Sequence, residues 1–296
     1  MKDLIVVYQF GKVASSSIVA TLNTIENIEC YQSHFLGNEF FLEILNQATQ
    51  PTQSHYFVEH QIGQLVSNIR LLRKINCFRQ NLNDEGKLAF ISIAREPIQW
   101  FRSSISQDIK GYLPYFHQAL TSQSITVDSD RDAIEKALPI IFGQIHKAIQ
   151  LGDSIEKLNF SKIKKSKKEI GIFDDLEMNK FLKFLVMFQR PHTWFQQHFE
   201  TFMGFSLSEM TKLENHLYAK KCGWCESYVF RYEDISDAVP TIFEFLGLNR
   251  NIELKRENLT KTKDFNDSIE KVFQNSLLMN DLKICSKSRY TEIFGY

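Results

Sequence analysis

Two short stretches carry residue types suited to holding a multiply charged anion. Gly11-Lys12-Val13-Ala14-Ser15-Ser16-Ser17 joins a glycine, a lysine and three serines directly behind an apolar run. In a loop between strand and helix, backbone N–H groups and the positive end of the helix dipole converge on one spot, and such a spot binds anions. A serine-capped helix start would explain the same residues without a ligand. The second stretch is Arg95-Glu96-Pro97, with Ser103 eight positions after the arginine. A guanidinium grips a phosphate through a two-pronged fork, and a hydroxyl on the following helix adds a further bond. The alternative is an arginine paired with a neighbouring carboxylate such as Glu96. A Walker A loop is a poor description of the first stretch, because there the lysine follows the last glycine and precedes Ser or Thr, whereas Lys12 stands early.

Both stretches need strands to place them. Residues 4–10 form an apolar run, and Ile18, Val19, Leu22 and Ile25 then recur at helical spacing, which predicts strand, tight loop and helix. Ala14, with its Cβ, is expected to keep a negative φ in that loop. Residues 28–31, 55–58, 88–94 and 228–232 read as further strands, each followed by a helical pattern. This alternation predicts an α/β fold: a P-loop-like parallel sheet with helices on both faces. Arg95 then stands at the carboxyl end of a parallel strand, beside the crevice where open α/β sheets bind ligands, and Pro97 opens the next helix. Between 111 and 221 the strand signals disappear, so the expected organisation is one domain, 1–296, with a helical insertion at about 111–221 able to wall a substrate cleft.

Composition limits the function classes. The 296 residues carry 35 basic and 35 acidic side chains, so no global field points to nucleic acid, and any anion site is local. No apolar run approaches the roughly 20 residues that span a bilayer, and no signal peptide is evident, which predicts a cytoplasmic protein without an integral membrane segment. Five cysteines, Cys30, Cys77, Cys222, Cys225 and Cys285, are scattered and odd in number, unlike a secreted disulfide framework. The run Lys162, Lys164, Lys165, Lys167, Lys168 reads as a solvated face or as a docking patch for an anionic acceptor or a membrane surface.

Taken together, GKVASSS after the first strand and REPIQWFRSS after a later one resemble the signatures of sulfotransferases that use 3′-phosphoadenosine-5′-phosphosulfate (PAPS). Within that superfamily the chain is most similar to bacterial capsular polysaccharide synthesis proteins and to 2-O-type carbohydrate sulfotransferases. That likeness is carried by His192-Thr193-Trp194-Phe195, by Phe230-Arg231-Tyr232-Glu233-Asp234 and by Lys287-Ser288-Arg289-Tyr290. Ala14 departs from a glycine common at its position. The resemblance implies PAPS as donor and a hydroxyl of a carbohydrate or glycolipid as acceptor. Lys12 would lie near the bridging oxygen of the phosphosulfate. The backbone and hydroxyls of Ser15, Ser16 and Ser17 would surround the 5′-phosphate, with Gly11, Val13 and Ala14 in the same cofactor-binding loop, and Arg95 with Ser103 would hold the 3′-phosphate. Sulfuryl transfer also needs a base for the acceptor hydroxyl. His60, after the strand expected at 55–58, is the first candidate and Glu59 the second, with His34 orienting the acceptor or sharing the role. No metal is expected, since lysine and helix amides can stabilise the smaller charge of a sulfuryl group. The competing readings are a P-loop nucleotide kinase or hydrolase, and an inactive PAPS-fold binding module in polysaccharide assembly.

Other features are read as structural. Cys222-Gly223-Trp224-Cys225 has the spacing of a redox or zinc pair, but it precedes a strand and no second pair stands at zinc spacing. Trp194 and Phe195 are expected in the core, or else in the cleft as stacking groups for the acceptor.

Overall fold

The computed structural model describes residues 2–49, 55–80, 86–152, 154–255 and 265–296. In chain order the elements are β1 (Asp3–Tyr8), α1 (Ser15–Leu22), β2 (Ile28–Ser33), α2 (Asn38–Ala48), α3 (His55–Gln80) and β3 (Leu88–Ala94). Next come α4 (Pro97–Thr121), α5 (Asp130–Gln150), α6 (Phe160–Lys165), α7 (Lys167–Ile170), α8 (Asp175–Trp194), a π-helical turn (Phe195–Glu200) and α9 (Thr201–Met203). The chain closes with β4 (Thr211–Lys212), β5 (Tyr218–Cys222), β6 (Cys225–Arg231), α10 (Ile235–Phe245), α11 (Asn266–Phe273), α12 (Ser276–Cys285) and α13 (Arg289–Phe294). They fall into two compact units, Met1–Ala94 with Trp194–Leu259 and Arg95–Thr193 with Thr260–Tyr296.

The first unit holds the sheet, in the order β2-β1-β3-β6-β5-β4. The strands β2, β1, β3 and β6 are parallel, and β5 and β4 continue antiparallel. All seven residues of β3 are buried, as expected for a parallel strand covered on both faces, and each large apolar side chain buried there contributes about 1.5–3 kcal/mol. From β1 the chain moves outward to β2, then crosses back to β3 on the other side of β1. The order therefore reverses at the β1/β3 boundary, and ligands of open α/β sheets bind outside the carboxyl ends of the strands at such a point.

Two expectations are corrected here. Residues 55–58 begin the 26-residue helix α3 and are not a strand. A short apolar run is locally ambiguous, and Leu65, Asn68, Leu71 and Ile75, all buried at helical spacing, decide the matter further along. The segment 111–221 is not free of strands, because β4 and β5 lie within it; their exposed lysines mask the pattern of an edge hairpin. Helix α4 begins at Pro97, as expected.

The second unit is helical. Helix α4 is N-capped by Glu96, whose carboxylate accepts from the amides of Ile98 (3.2 Å) and Gln99 (2.7 Å). It is irregular at Asp108, ahead of Pro114. Helix α5 is capped by Ser129 and packs on α4, α11 and α12. Phe101, Phe142, Phe184 and Phe188 meet ring to ring in its core. The lysine run falls on α6 and α7, where Lys162, Lys164, Lys165 and Lys168 are exposed and Lys167 pairs with Asp175 at 2.7 Å. Among the described residues no helix is long and apolar enough to cross a membrane.

Candidate functional site

The loop from β1 to α1 lies at the reversal point of the sheet, and its backbone is unusual. Gly11, Lys12 and Ala14 all have positive φ, at 92°, 60° and 59°. The expected negative φ at Ala14 is thus overturned. For a residue with a Cβ the left-handed region costs about 1–2 kcal/mol, so Lys12 and Ala14 hold this shape only because the surroundings impose it.

The brace is Gln9, the residue after β1, which is completely buried. Its Oε1 accepts the Gly11 amide, and its Nε2 donates to Ser15 Oγ at 2.8 Å. One amide side chain therefore ties the start of the loop to the first residue of α1. Val13 is fully buried and anchors the middle of the loop. Ala14, the residue before α1, makes no side-chain capping bond, and its carbonyl accepts the amides of Ser17 at 3.1 Å and Ile18 at 3.4 Å, so at this helix start an anion would be held by the earlier amides of Ser15 and Ser16. Ser15 is buried with its hydroxyl against Gln9, whereas Ser16 and Ser17 are half-buried. Of the three serines expected around a phosphate, the last two have the more accessible side chains.

His34 follows β2 and is drawn to the same loop. Its Nδ1 lies 2.7 Å from the Gln9 carbonyl oxygen. A carbonyl only accepts, so Nδ1 carries the proton and the neutral ring has its lone pair on Nε2. The His34 carbonyl accepts from Trp194 Nε1 at 3.0 Å. A side chain built on Gly11 would have His34 Cε1 as its nearest neighbour, at 3.9 Å. Trp194 also packs edge-on against Tyr8 at 5.0 Å and against Phe10 at 5.7 Å, so the expected core role of Trp194 and Phe195 holds. Trp194 therefore positions a histidine as well as filling space.

No family model, characterised protein or solved structure matches the chain.

In the second unit, Arg95 directly follows the last residue of β3 and its backbone is clamped by one phenol. Its N–H donates to Tyr290 Oη at 2.7 Å, and the Tyr290 O–H donates to the Arg95 carbonyl at 2.8 Å. Tyr290 is carried by α13, whose start is fixed by a capping box between Ser288 and Thr291. Ser288 Oγ also meets His192 Nδ1 at 2.9 Å. Burial lowers the His192 pKa from its ordinary 6.5 to about 3, so this histidine is neutral and structural. Two of the quoted motifs, around His192 and Ser288, thus meet in one buried contact. Ser103 is half-buried in the second turn of α4. The Glu96 carboxylate is engaged in capping α4.

The remaining candidates separate. Glu59 is exposed on α3. His60 lies in the second turn of α3, and its side chain is outside the described residues. The strand that was to carry both to the crevice does not exist. Gln9 and Trp194 are positioning residues that the motif reading did not assign; the signal for Gln9 was a lone amide in the apolar run at residues 4–10. Arg231, at the carboxyl end of β6, forms a bidentate pair with Asp234 at 2.6 and 3.0 Å. Elsewhere in the second unit, a cavity of about 640 Å³ lined by residues including Gln144, Lys147 and Phe173 contains none of the expected site residues.

Proposed function

We propose that the chain is a sulfotransferase moving a sulfuryl group from PAPS to a hydroxyl of a carbohydrate or glycolipid, on a P-loop-like variant of the α/β sheet. The observation that carries this reading is the left-handed loop Gly11–Ala14 at the reversal point of the sheet, braced by Gln9 and flanked by a lysine and an oriented histidine. Successive amides in such a turn form an anion-binding concavity, and the donor set of backbone N–H groups, Lys12, Ser16 and Ser17 suits a phosphosulfate.

Bound PAPS supplies the activated sulfuryl group; the rest falls to this chain. Lys12 neutralises charge on the oxygen that departs with the 5′-phosphate, and the amides at the start of α1 hold that phosphate. Arg95 and Ser103 are assigned to the 3′-phosphate by the family likeness. The base is reassigned from His60 to His34, because His34 is the candidate whose ring is beside the loop and whose Nδ1–H bond directs the basic Nε2. Its Nε2 takes the proton of the acceptor hydroxyl as the new S–O bond forms.

Calorimetry with adenosine 3′,5′-bisphosphate and AMP tests the cofactor. Charge-assisted hydrogen bonds are worth about 1.5–3 kcal/mol each, so the bisphosphate should bind at least about tenfold tighter. Equal affinities would remove the assignment of Arg95, and no binding of either would remove the reading as a whole. A screen of glycans and lipid-linked sugars with labelled PAPS then identifies the acceptor.

A further inference from the structure

Cys222 and Cys225 stand outside the proposed chemistry. They are the last residue of β5 and the first of β6, joined by the two-residue turn Gly223-Trp224, and they face each other in the antiparallel register. Their sulfurs are 3.2 Å apart, and Cys222 Sγ also donates to the Cys225 carbonyl at 3.4 Å. Directly opposed residues of an antiparallel pair have Cα atoms about 4.5–5.5 Å apart, inside the span a disulfide bridges without moving the backbone. The two thiols differ in access, Cys222 being half-buried and Cys225 buried. Among the described residues no third His, Cys, Asp or Glu joins them as a metal site would need.

The turn is held from outside the hairpin. The Arg79 guanidinium of α3 lies 3.9 Å from the centroid of the Trp224 ring, and that ring meets Phe90 of β3 edge-on at 5.7 Å. Trp224 is thus fixed between a cation and a core strand, and the cysteines on either side of the turn stay opposed. The sequence alone cannot distinguish this from an accidental CxxC; the register and the sulfur contact do.

We propose that Cys222 and Cys225 are a reversible disulfide site, closed by thiol–disulfide exchange with a low-molecular-weight disulfide such as oxidised glutathione. In the first step the Cys222 thiolate attacks one glutathione sulfur, forming a Cys222–glutathione mixed disulfide and releasing one glutathione thiolate. In the second the Cys225 thiolate attacks Cys222 Sγ, the intraprotein S–S bond forms and the second glutathione thiolate leaves. Two protein thiols are oxidised, one glutathione disulfide is reduced, and the two protons pass through solvent to the departing thiolates. The order follows from access. Burial, reinforced by the neighbouring Cys222 thiol, holds the Cys225 thiol well above the ordinary range, so it is the poorer first nucleophile.

The test is peptide mapping of the intact folded chain after equilibration with oxidised glutathione, acid quench and alkylation. The peptide holding both cysteines should lose two hydrogens and escape alkylation, while the exposed Cys77 yields at most a mixed disulfide. In Cys225→Ser the mixed disulfide should be trapped at Cys222, and in Cys222→Ser the modification of Cys225 should be at least about tenfold slower. The disulfide should reopen with reduced glutathione. Full alkylation of both thiols in the wild-type chain after equilibration would overturn the proposal, as would Cys225 reacting first. The wild-type measurement is decisive even if a serine variant fails to fold.

Discussion

Replacing Gln9 by leucine removes the brace of the anion loop while keeping a buried side chain of similar size. Two hydrogen bonds are lost, from the Gly11 amide to Oε1 and from Nε2 to Ser15 Oγ. Each is worth about 1 kcal/mol net, and a buried group left unsatisfied costs about 1–3 kcal/mol. Ser15 bears that cost fully because it is buried, and Gly11 in part because it is half-buried, which sets the total at about 2–4 kcal/mol. Where the loss appears depends on the loop. If the loop keeps its left-handed shape, the loss is read as lower unfolding stability. If Lys12 and Ala14 relax out of the left-handed region, stability falls less, but the binding-competent shape becomes a minor state and affinity falls by its fraction, tenfold for each 1.4 kcal/mol or so. Urea unfolding followed by circular dichroism measures the first quantity, and calorimetry with adenosine 3′,5′-bisphosphate the second. Their sum should reach about 2–4 kcal/mol. A variant changed by less than about 0.5 kcal/mol in both refutes Gln9 as the brace. Should the wild-type chain not bind the bisphosphate, the unfolding measurement still tests the brace, while the proposed function fails separately.

Ala14→Gly should stabilise the chain by about 0.5–1 kcal/mol in the same unfolding assay, since relief of the left-handed conformation exceeds the added unfolded-state entropy. Ala20→Gly within α1 should instead destabilise by about 0.5–1 kcal/mol, and two changes of the same sign would contradict the loop geometry. His34→Ala should lower turnover roughly 10²- to 10⁴-fold with bisphosphate affinity within about a factor of two; a larger loss in His60→Ala would return the base role to His60. For His192, folding lowers the pKa to about 3 from an unfolded value near 6.5, so its contribution is complete above pH 6.5 and is lost as pH falls toward 3. About 2 kcal/mol should be gone by pH 5, and unfolding curves of His192→Asn at pH 7 and pH 5 should differ less than those of the wild type by that amount.

The central parallel strands β1 and β3 were legible because burial on both faces leaves a continuous apolar run with a sharp end. The range read for β3, 88–94, is its observed range, and Arg95 follows it as expected. Residues 55–58 failed for the complementary reason: Tyr56, Phe57 and Val58 suit a strand as well as a helix start, and only the buried positions from Leu65 to Ile75 discriminate. The hairpin of β4 and β5 was missed because one is two residues long and the other carries consecutive lysines, so neither looks like a buried strand. The same hairpin opposes Cys222 and Cys225, which spacing alone presents as an unremarkable CxxC.

At the site, residue types were legible and backbone geometry was not. Gly11, Lys12 and the serines announce an anion loop because their chemistry is local. The positive φ at Lys12 and Ala14 has no such signal, since residues with a Cβ ordinarily avoid that region. What stabilises it is a glutamine that composition places among apolar neighbours, where an amide is tolerated only if its donor and acceptor are both engaged. Gln9 meets that condition by bonding the loop that follows it. A polar residue embedded in an apolar strand end therefore points to the next loop, and here its carbonyl also directs the ring of His34. One buried residue thus sets both the loop that would hold the donor and the tautomer of the base that would receive the acceptor's proton. Because the bond to His34 comes from the backbone carbonyl, Gln9→Leu should leave the ring's direction in place and act through the loop on donor binding, whereas His34→Ala impairs turnover alone.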